Sequence, residues 1–269
     1  MRRYNDTFTD YFSNVNRNLL VVARDFDIDA AYMLPNDGNA ILDVDESWIN
    51  GSRMEPFMFR LLHKPYARPD KALTRGEVAK LICNYIGVVP MRNERIFSDV
   101  PPSHEYAPYI WAMNQLGIMT GNGDGTFRPD SELSMQEFAV MAHRVMEWGK
   151  QKAEYMAEHW LETNPWADQM TPEEIADHNK ERRDVVINTY TPTYSEPMNF
   201  ADKDKIASWA KDAVNELSKY GYSENRILSG DENGYLKPAE MLSKVRFLVF
   251  MYKFNHRFDL YKAYGEPLF

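Results

Sequence analysis

Cysteine occurs once in the 269 residues, as Cys83. A single thiol excludes an internal disulfide framework and any structural zinc site built on several thiolates. Its neighbours Leu81 and Ile82 place it in an apolar stretch with helical character, so it reads as a small buried hydrophobe rather than a reactive nucleophile. No window approaches the roughly 18–20 consecutive apolar residues of a membrane-spanning helix. Arg2 and Arg3 imitate a secretory n-region, but no apolar h-region follows, so as written the chain carries no export signal. Positive charge is in deficit: 31 Lys and Arg face 40 Asp and Glu, and the formal charge of −9 argues against a nucleic-acid footprint or an anionic membrane surface. Also absent are H-E-x-x-H, the nucleophile elbow, G-x-G-x-x-G and the P-loop. The six histidines are scattered, and no carboxylate spacing selects an acid/base pair, so no metal, cofactor or reaction is expected. What remains is a hydrophobic fraction of 44%, enough for a folded core that buries roughly 70–75% of the unfolded surface.

Internal repetition organises that core. Three segments align without a gap: A-R-P-D-K-A-L-T-R-G-E-V from Ala67, F-R-P-D-S-E-L-S-M-Q-E-F from Phe127, and L-K-P-A-E-M-L-S-K-V-R-F from Leu236. Each carries a basic residue before Pro (Arg68, Arg128, Lys237), then a Leu (Leu73, Leu133, Leu242), then a hydroxyl residue (Thr74, Ser134, Ser243). Upstream, Phe97-Ser98-Asp99 and Phe200-Ala201-Asp202 open the second and third copies. Each is followed by an amphipathic stretch (Ala107, Ala210) and a glycine loop, Gly121–Gly125 or Gly230–Gly234. Phe8-Thr9-Asp10 is the candidate entry of a less regular first copy, with an insertion at about 36–66.

The segment after each hydroxyl is predicted helical. Thr74 and Ser134 are N-caps with Glu77 and Glu137 three residues on, the capping box in which each side chain bonds the other's backbone N–H. In the third copy Arg246 stands at the Glu position, so half of the box is lost. Leu73/Val78, Leu133/Phe138 and Leu242/Phe247 are hydrophobic staples that fix the entry angle three times by one device. Apolar residues then recur at Phe138, Met141, Ala142, Val145 and Trp148 with helical spacing, and the fold class is all-α.

These motifs resemble the S-layer homology (SLH) family. The middle copy holds the signature nearly whole, as Phe97-Ser98-Asp99-Val100-Pro101, Ala107, Ile110, Gly117 to Gly121, Asp124 to Asp130 and Leu133 to Phe138, and the first keeps the family's Thr-Arg-Ala-Glu as Thr74-Arg75-Gly76-Glu77. The resemblance implies three helix–loop–helix repeats in a pseudo-threefold bundle with three grooves. It further implies noncovalent attachment to a secondary cell-wall polymer, often a pyruvylated polysaccharide joined to peptidoglycan, with no reaction. The repeats are expected at 1–90, 91–148 and 199–269, the last with a C-terminal tail, and 149–198 is an insertion between the second and third.

Within the motif, Thr74, Glu77, Ser134 and Glu137 are explained by capping alone. Arg75 at the first helical position opposes the helix dipole and adds nothing to the cap. A guanidinium beside free backbone N–H groups at a helix start would grip a carboxylate or phosphate, and the alternative is an intramolecular ion pair. Met135 replaces the arginine in the second copy and Lys244 in the third, so the expectation is a principal site at Arg75, a weaker one at Lys244 and little at Met135. Asp99, Asp202, Trp111 and Trp209 are secondary ligand-binding candidates. Turn capping is the alternative for Asp99, and the core is the alternative for both tryptophans. A calcium reading of Asn122, Asp124 and Thr126 fails at the loop's sixth and twelfth positions, Phe127 and Leu133.

The insertion has an expected helix end at Trp160, a Pro165 break and a second start at Thr171-Pro172-Glu173-Glu174. With Trp160, Trp166 and Tyr190 it is either a packing buttress or a surface for a protein partner or a homo-oligomer. Two further readings accompany wall anchoring at the cell surface: a structural or adaptor subunit of a surface assembly or virion, and, more weakly, a carbohydrate-active enzyme.

Overall fold

The structure is a computed structural model that describes residues 21–23, 70–90, 92, 94–222 and 225–258. Phe8-Thr9-Asp10, the insertion at 36–66 and Arg68-Pro69 lie outside the described residues. Regular structure is predominantly helical: α1 is Arg75–Ile86, α2 Ala107–Gln115, α3 Met135–Thr163, α4 Pro172–Tyr190, α5 Lys211–Leu217 and α6 Lys244–Arg257. The strands are short. β1 (Val21–Ala23) pairs antiparallel with β2 (Val88–Pro90), and β3 (Gly221–Tyr222) with β4 (Asn225–Arg226). The described residues divide into two compact units, one drawn from Met1–Phe138 and Lys237–Tyr252, the other from Ala139–Leu236 and Lys253–Leu268.

In the first unit, α1 begins where the capping box requires. The Glu77 N–H donates to Thr74 Oγ1 at 3.2 Å, and the Thr74 N–H returns to Glu77 Oε2 at 3.0 Å. The helix ends at Gly87, whose φ of 71° is left-handed and whose N–H donates to the Cys83 carbonyl. Between these caps Val78, Ile82 and Cys83 are fully buried. Ser134 and Glu137 reproduce the box at the start of α3. All six staple residues, Leu73, Val78, Leu133, Phe138, Leu242 and Phe247, have no exposed surface. Phe138 packs its ring against Phe247 and Phe250 at 5.2 and 4.9 Å between centroids. Where Arg246 removed the third acidic cap, its guanidinium instead pairs with Glu240 at 3.1 Å.

The three aligned segments are joined by backbone hydrogen bonds in a closed cycle. The Leu73 N–H donates to the Leu242 carbonyl at 2.9 Å, Leu242 to Leu133 at 2.7 Å, and Leu133 to Leu73 at 2.9 Å. The helix starts form a second cycle that runs in the opposite direction around the three copies. Arg75 and Gly76 donate to the Ser131 and Pro129 carbonyls, Met135 and Gln136 to Glu240 and Pro238, and Lys244 to Lys71. The first N–H groups of a helix have no intrahelical acceptor. Here each helix satisfies them with the extended segment of the next copy.

In the second unit, Thr171 caps α4 with Pro172 at its first position and Glu174 completing the box, as the sequence predicts. The helix before it runs to Thr163, past the expected end at Trp160. Trp160 is tied down rather than terminal: its indole Nε1–H donates to Asn179 Oδ1 at 2.6 Å and the Arg182 guanidinium lies 4.8 Å from its ring. A second cluster forms where the Tyr220 hydroxyl donates to the Tyr190 carbonyl at 3.0 Å and both rings pack on Phe258. Only Val186 and Tyr190 of α4 are buried, and its exposed surface carries Val185 and Ile187 among the charged residues.

Candidate functional site

The signature residues of the first and second copies converge in the first unit around Arg75. Its side chain is 7% exposed. Nε donates to the Phe127 carbonyl at 2.8 Å, one terminal nitrogen to Glu137 at 3.3 Å and the other to the Thr120 carbonyl at 3.4 Å. The guanidinium carbon lies 4.8 Å from the centre of the Phe127 ring. Burial holds the Arg75 pKa below its ordinary value, opposed by Glu137 and reinforced by the nearby charge of Arg128. Arg75 therefore makes the intramolecular ion pair that stood as the alternative to ligand contact.

One expectation is overturned. The backbone N–H groups at the start of α1 are not free for an anion, because Ser131 and Pro129 accept from Arg75 and Gly76, and Thr74 Oγ1 accepts from Glu77. Any anion held here must be held by side chains.

Asp99 does more than cap a turn. Its two carboxylate oxygens accept from the Phe127 and Arg128 N–H groups at 2.8 and 2.7 Å, which fastens the entry box of the second copy to the far end of its glycine loop. Asp202 repeats the device in the second unit, accepting from the Leu236 N–H at 2.9 Å with 5% exposure. The loops are closed by their own polar groups. Asp124 accepts from the Thr126 N–H and hydroxyl, which holds its carboxyl pKa low, and Asp231 accepts from Asn233 and Tyr235. Among the described residues no group of three or more His, Cys, Asp or Glu is placed to hold a metal.

The tryptophans separate. Trp111 is 1% exposed in the core of α2 and has no ring face to offer, which corrects its place among the ligand-binding candidates. Trp209, in the short 3-10 turn Ser208–Ala210, is 57% exposed. Lys244 is half-buried, and its charge together with that of Lys71 helps hold Glu77 ionised. Burial raises that carboxyl's pKa, but the Lys71 and Thr74 hydrogen bonds outweigh it. Lys71 Nζ is 2.5 Å from Glu77 Oε1. Met135 is buried and carries no charge. Cys83 is buried, and burial pushes its thiol pKa well above the ordinary range, as expected of an inert hydrophobe.

Two residues beside Arg75 escape a reading based on capping. A Cβ on Gly76 would stand 2.4 Å from Tyr106 Cδ2 and 3.1 Å from the Pro129 carbonyl oxygen, so the Tyr106 ring lies directly on the helix start. Burial, with Glu105 and Glu77 nearby, pushes its phenol up to about 12. The sequence signal was Gly76 itself, where the family motif has Ala. The other is Arg128, visible as the basic residue before Pro in all three segments.

Comparison with known sequences points the same way. The model of the S-layer homology domain matches residues 96–139 and 199–244. Cell surface glycoprotein 1 of Acetivibrio thermocellus is 22% identical over 180 residues, 66% of this chain and 6% of that protein. The cellulosome-anchoring protein of the same organism is 30% identical over 84 residues, 30% of this chain and 19% of its own length. An uncharacterized cell wall amidase of Bacillus anthracis is 27% identical over 73 residues, 27% of this chain and 14% of that protein. The chain thus spans less than a fifth of each of these relatives. No helix among the described residues is long and apolar enough to cross a membrane.

Proposed function

We propose that this chain, which carries S-layer homology sequence over residues 96–139 and 199–244, is a non-catalytic anchoring module that binds an anionic cell-wall polysaccharide at the cell surface. Three repeats, at 1–90, 91–148 and 199–269, form one pseudo-threefold arrangement with the insertion 149–198 between the last two. The observation that carries this reading is the closed cycle of Leu73, Leu242 and Leu133, which relates the three aligned segments by the same bond in the same direction. The relatives named for surface and anchoring roles support it. The principal groove lies beside Arg75, where Asp99, Phe127 and Tyr106 also converge, and a second lies at Lys244. Asp202 and Trp209 belong to the third copy's contribution. Binding to an anion by a chain of net charge −9 depends on local cations, so it weakens steeply with salt.

The test is co-sedimentation of the purified chain with isolated wall sacculi across a salt series. Sedimentation that falls with ionic strength is expected. A chain that stays in the supernatant at low salt removes the reading.

A second reading, an adaptor or structural subunit, is favoured by one feature of the insertion: Trp166 and Ile187 are 63% and 60% exposed on the segment that carries α4. An ordered homo-oligomer, or a protein partner captured through residues 149–198, formed without wall material would favour that reading.

A further inference from the structure

We propose that Arg128 is an anion-contacting residue of the groove, with Lys237 as its counterpart in the third copy: the exposed cation that meets a carboxylate or phosphate beside buried Arg75. The inference rests on the anchoring reading and names a residue which that reading leaves unused.

Among the described residues, seven have a left-handed φ. Five are glycines, and the other two are Arg128 at 58° and Lys237 at 56°. That conformation disfavours any residue with a Cβ, and glycine would relieve it at both places. A basic side chain stands there instead, at the same position of two aligned copies, each time before Pro. Retained backbone strain of this kind points to a use for the side chain. The Asp99 carboxylate holds the Arg128 N–H at 2.7 Å and so fixes the conformation that presents the guanidinium.

The side chain itself is available. It is 61% exposed, and its ion pair is with Asp124 at 3.5 Å, a carboxylate that is 51% exposed and already accepts two hydrogen bonds from Thr126. Arg75, by contrast, has its donors directed to Phe127, Glu137 and Thr120. The two guanidinium groups are close enough that the charge of Arg128 disfavours that of Arg75. An anion bound at Arg128 relieves that repulsion and receives the planar two-pronged donor that a carboxylate or phosphate matches.

The test uses the whole chain and isolated wall sacculi. Arg128→Asn removes the charge while tolerating the left-handed conformation. It is expected to weaken sedimentation on the order of tenfold and flatten its salt dependence, with an unchanged circular dichroism spectrum. Arg128→Lys should fall between the two. Asp124→Asn, which keeps the acceptor for Thr126 and removes the competing charge, should tighten binding. Sacculi with reduced carboxyl groups, compared with sacculi stripped of phosphodiesters, identify the anion by which treatment abolishes the Arg128 effect. If neither does, the assignment is overturned. Wild-type-like binding and salt response of folded Arg128→Asn also overturns it. Should that variant not fold, an Asp124→Asn protein that binds no tighter overturns it instead. A wild-type chain that never sediments removes the anchoring reading and this assignment with it, a result distinct from any of these.

Discussion

Replacing Arg75 by methionine, the residue at the aligned position 135, separates its structural contribution from any role in binding. The Nε bond to the Phe127 carbonyl is a buried bond from a charged donor, of the class that contributes about 1.5–3 kcal/mol. The guanidinium over the Phe127 ring adds roughly 0.5–2 kcal/mol. The Glu137 pair, with its acid 34% exposed, is nearer ~0.5 kcal/mol, and the Thr120 contact at 3.4 Å is close to the geometric limit. Against these, methionine removes the burial penalty of the charge and fills much of the same volume. The net expectation is a loss of about 2–3 kcal/mol, mostly from the Phe127 carbonyl left without its donor. In a chain of this size each kcal/mol moves the melting temperature by roughly 2–4 °C, so a fall of about 5–10 °C is expected, with a matching drop in urea midpoint at constant m-value. A double-mutant cycle with Glu137→Gln should return a coupling on the order of 0.5 kcal/mol. Destabilisation below ~0.5 kcal/mol would refute the reasoning, because the Phe127 bond would then contribute little.

Asp99→Asn keeps the shape but can accept only one of the two N–H groups and turns an amide toward the other, so a loss of about 1–2 kcal/mol in urea unfolding is expected. Thr171→Ala breaks the α4 capping box and should cost ~1 kcal/mol, read as faster amide exchange in the first turn of Pro172–Tyr190. Lys152 is buried, and burial brings its ammonium pKa down from 10.5 to about 7. Between those values the unfolded chain holds a proton that the folded chain does not, so stability rises with pH across that window and is lowest below it. Lys152→Met should abolish the rise in urea midpoint. A slope that survives the substitution would assign it to another group.

Much of this was legible because it is local. A capping box needs only a hydroxyl residue and a Glu three positions on, and Thr74/Glu77, Ser134/Glu137 and Thr171/Glu174 all form it. The staples follow from the same short spacing. What the sequence hid is non-local. The acceptors for the helix-start N–H groups come from Ser131 and Pro129, far along the chain, and without them Arg75 looked like part of an open anion site. The Asp99 clamp is likewise invisible to turn rules, because its donors lie beyond a helix and a glycine loop. Trp111 and Trp209 were separable by spacing: Trp111 lies four residues after Ala107, on the same buried face of α2, whereas Trp209 immediately precedes the equivalent Ala210 and faces solvent.

The leucine cycle also governs the order in which the molecule can come into being. Leu73 and Leu133 can meet early, but both remaining bonds require Leu242, which lies near the far end of the described chain. Bringing such distant partners together is entropically slow, and nothing local rewards it until the last bond forms. During synthesis the Leu73, Met135 and Gln136 N–H groups therefore wait for acceptors in the third copy, and the native state is reached only after residue 242 has left the ribosome.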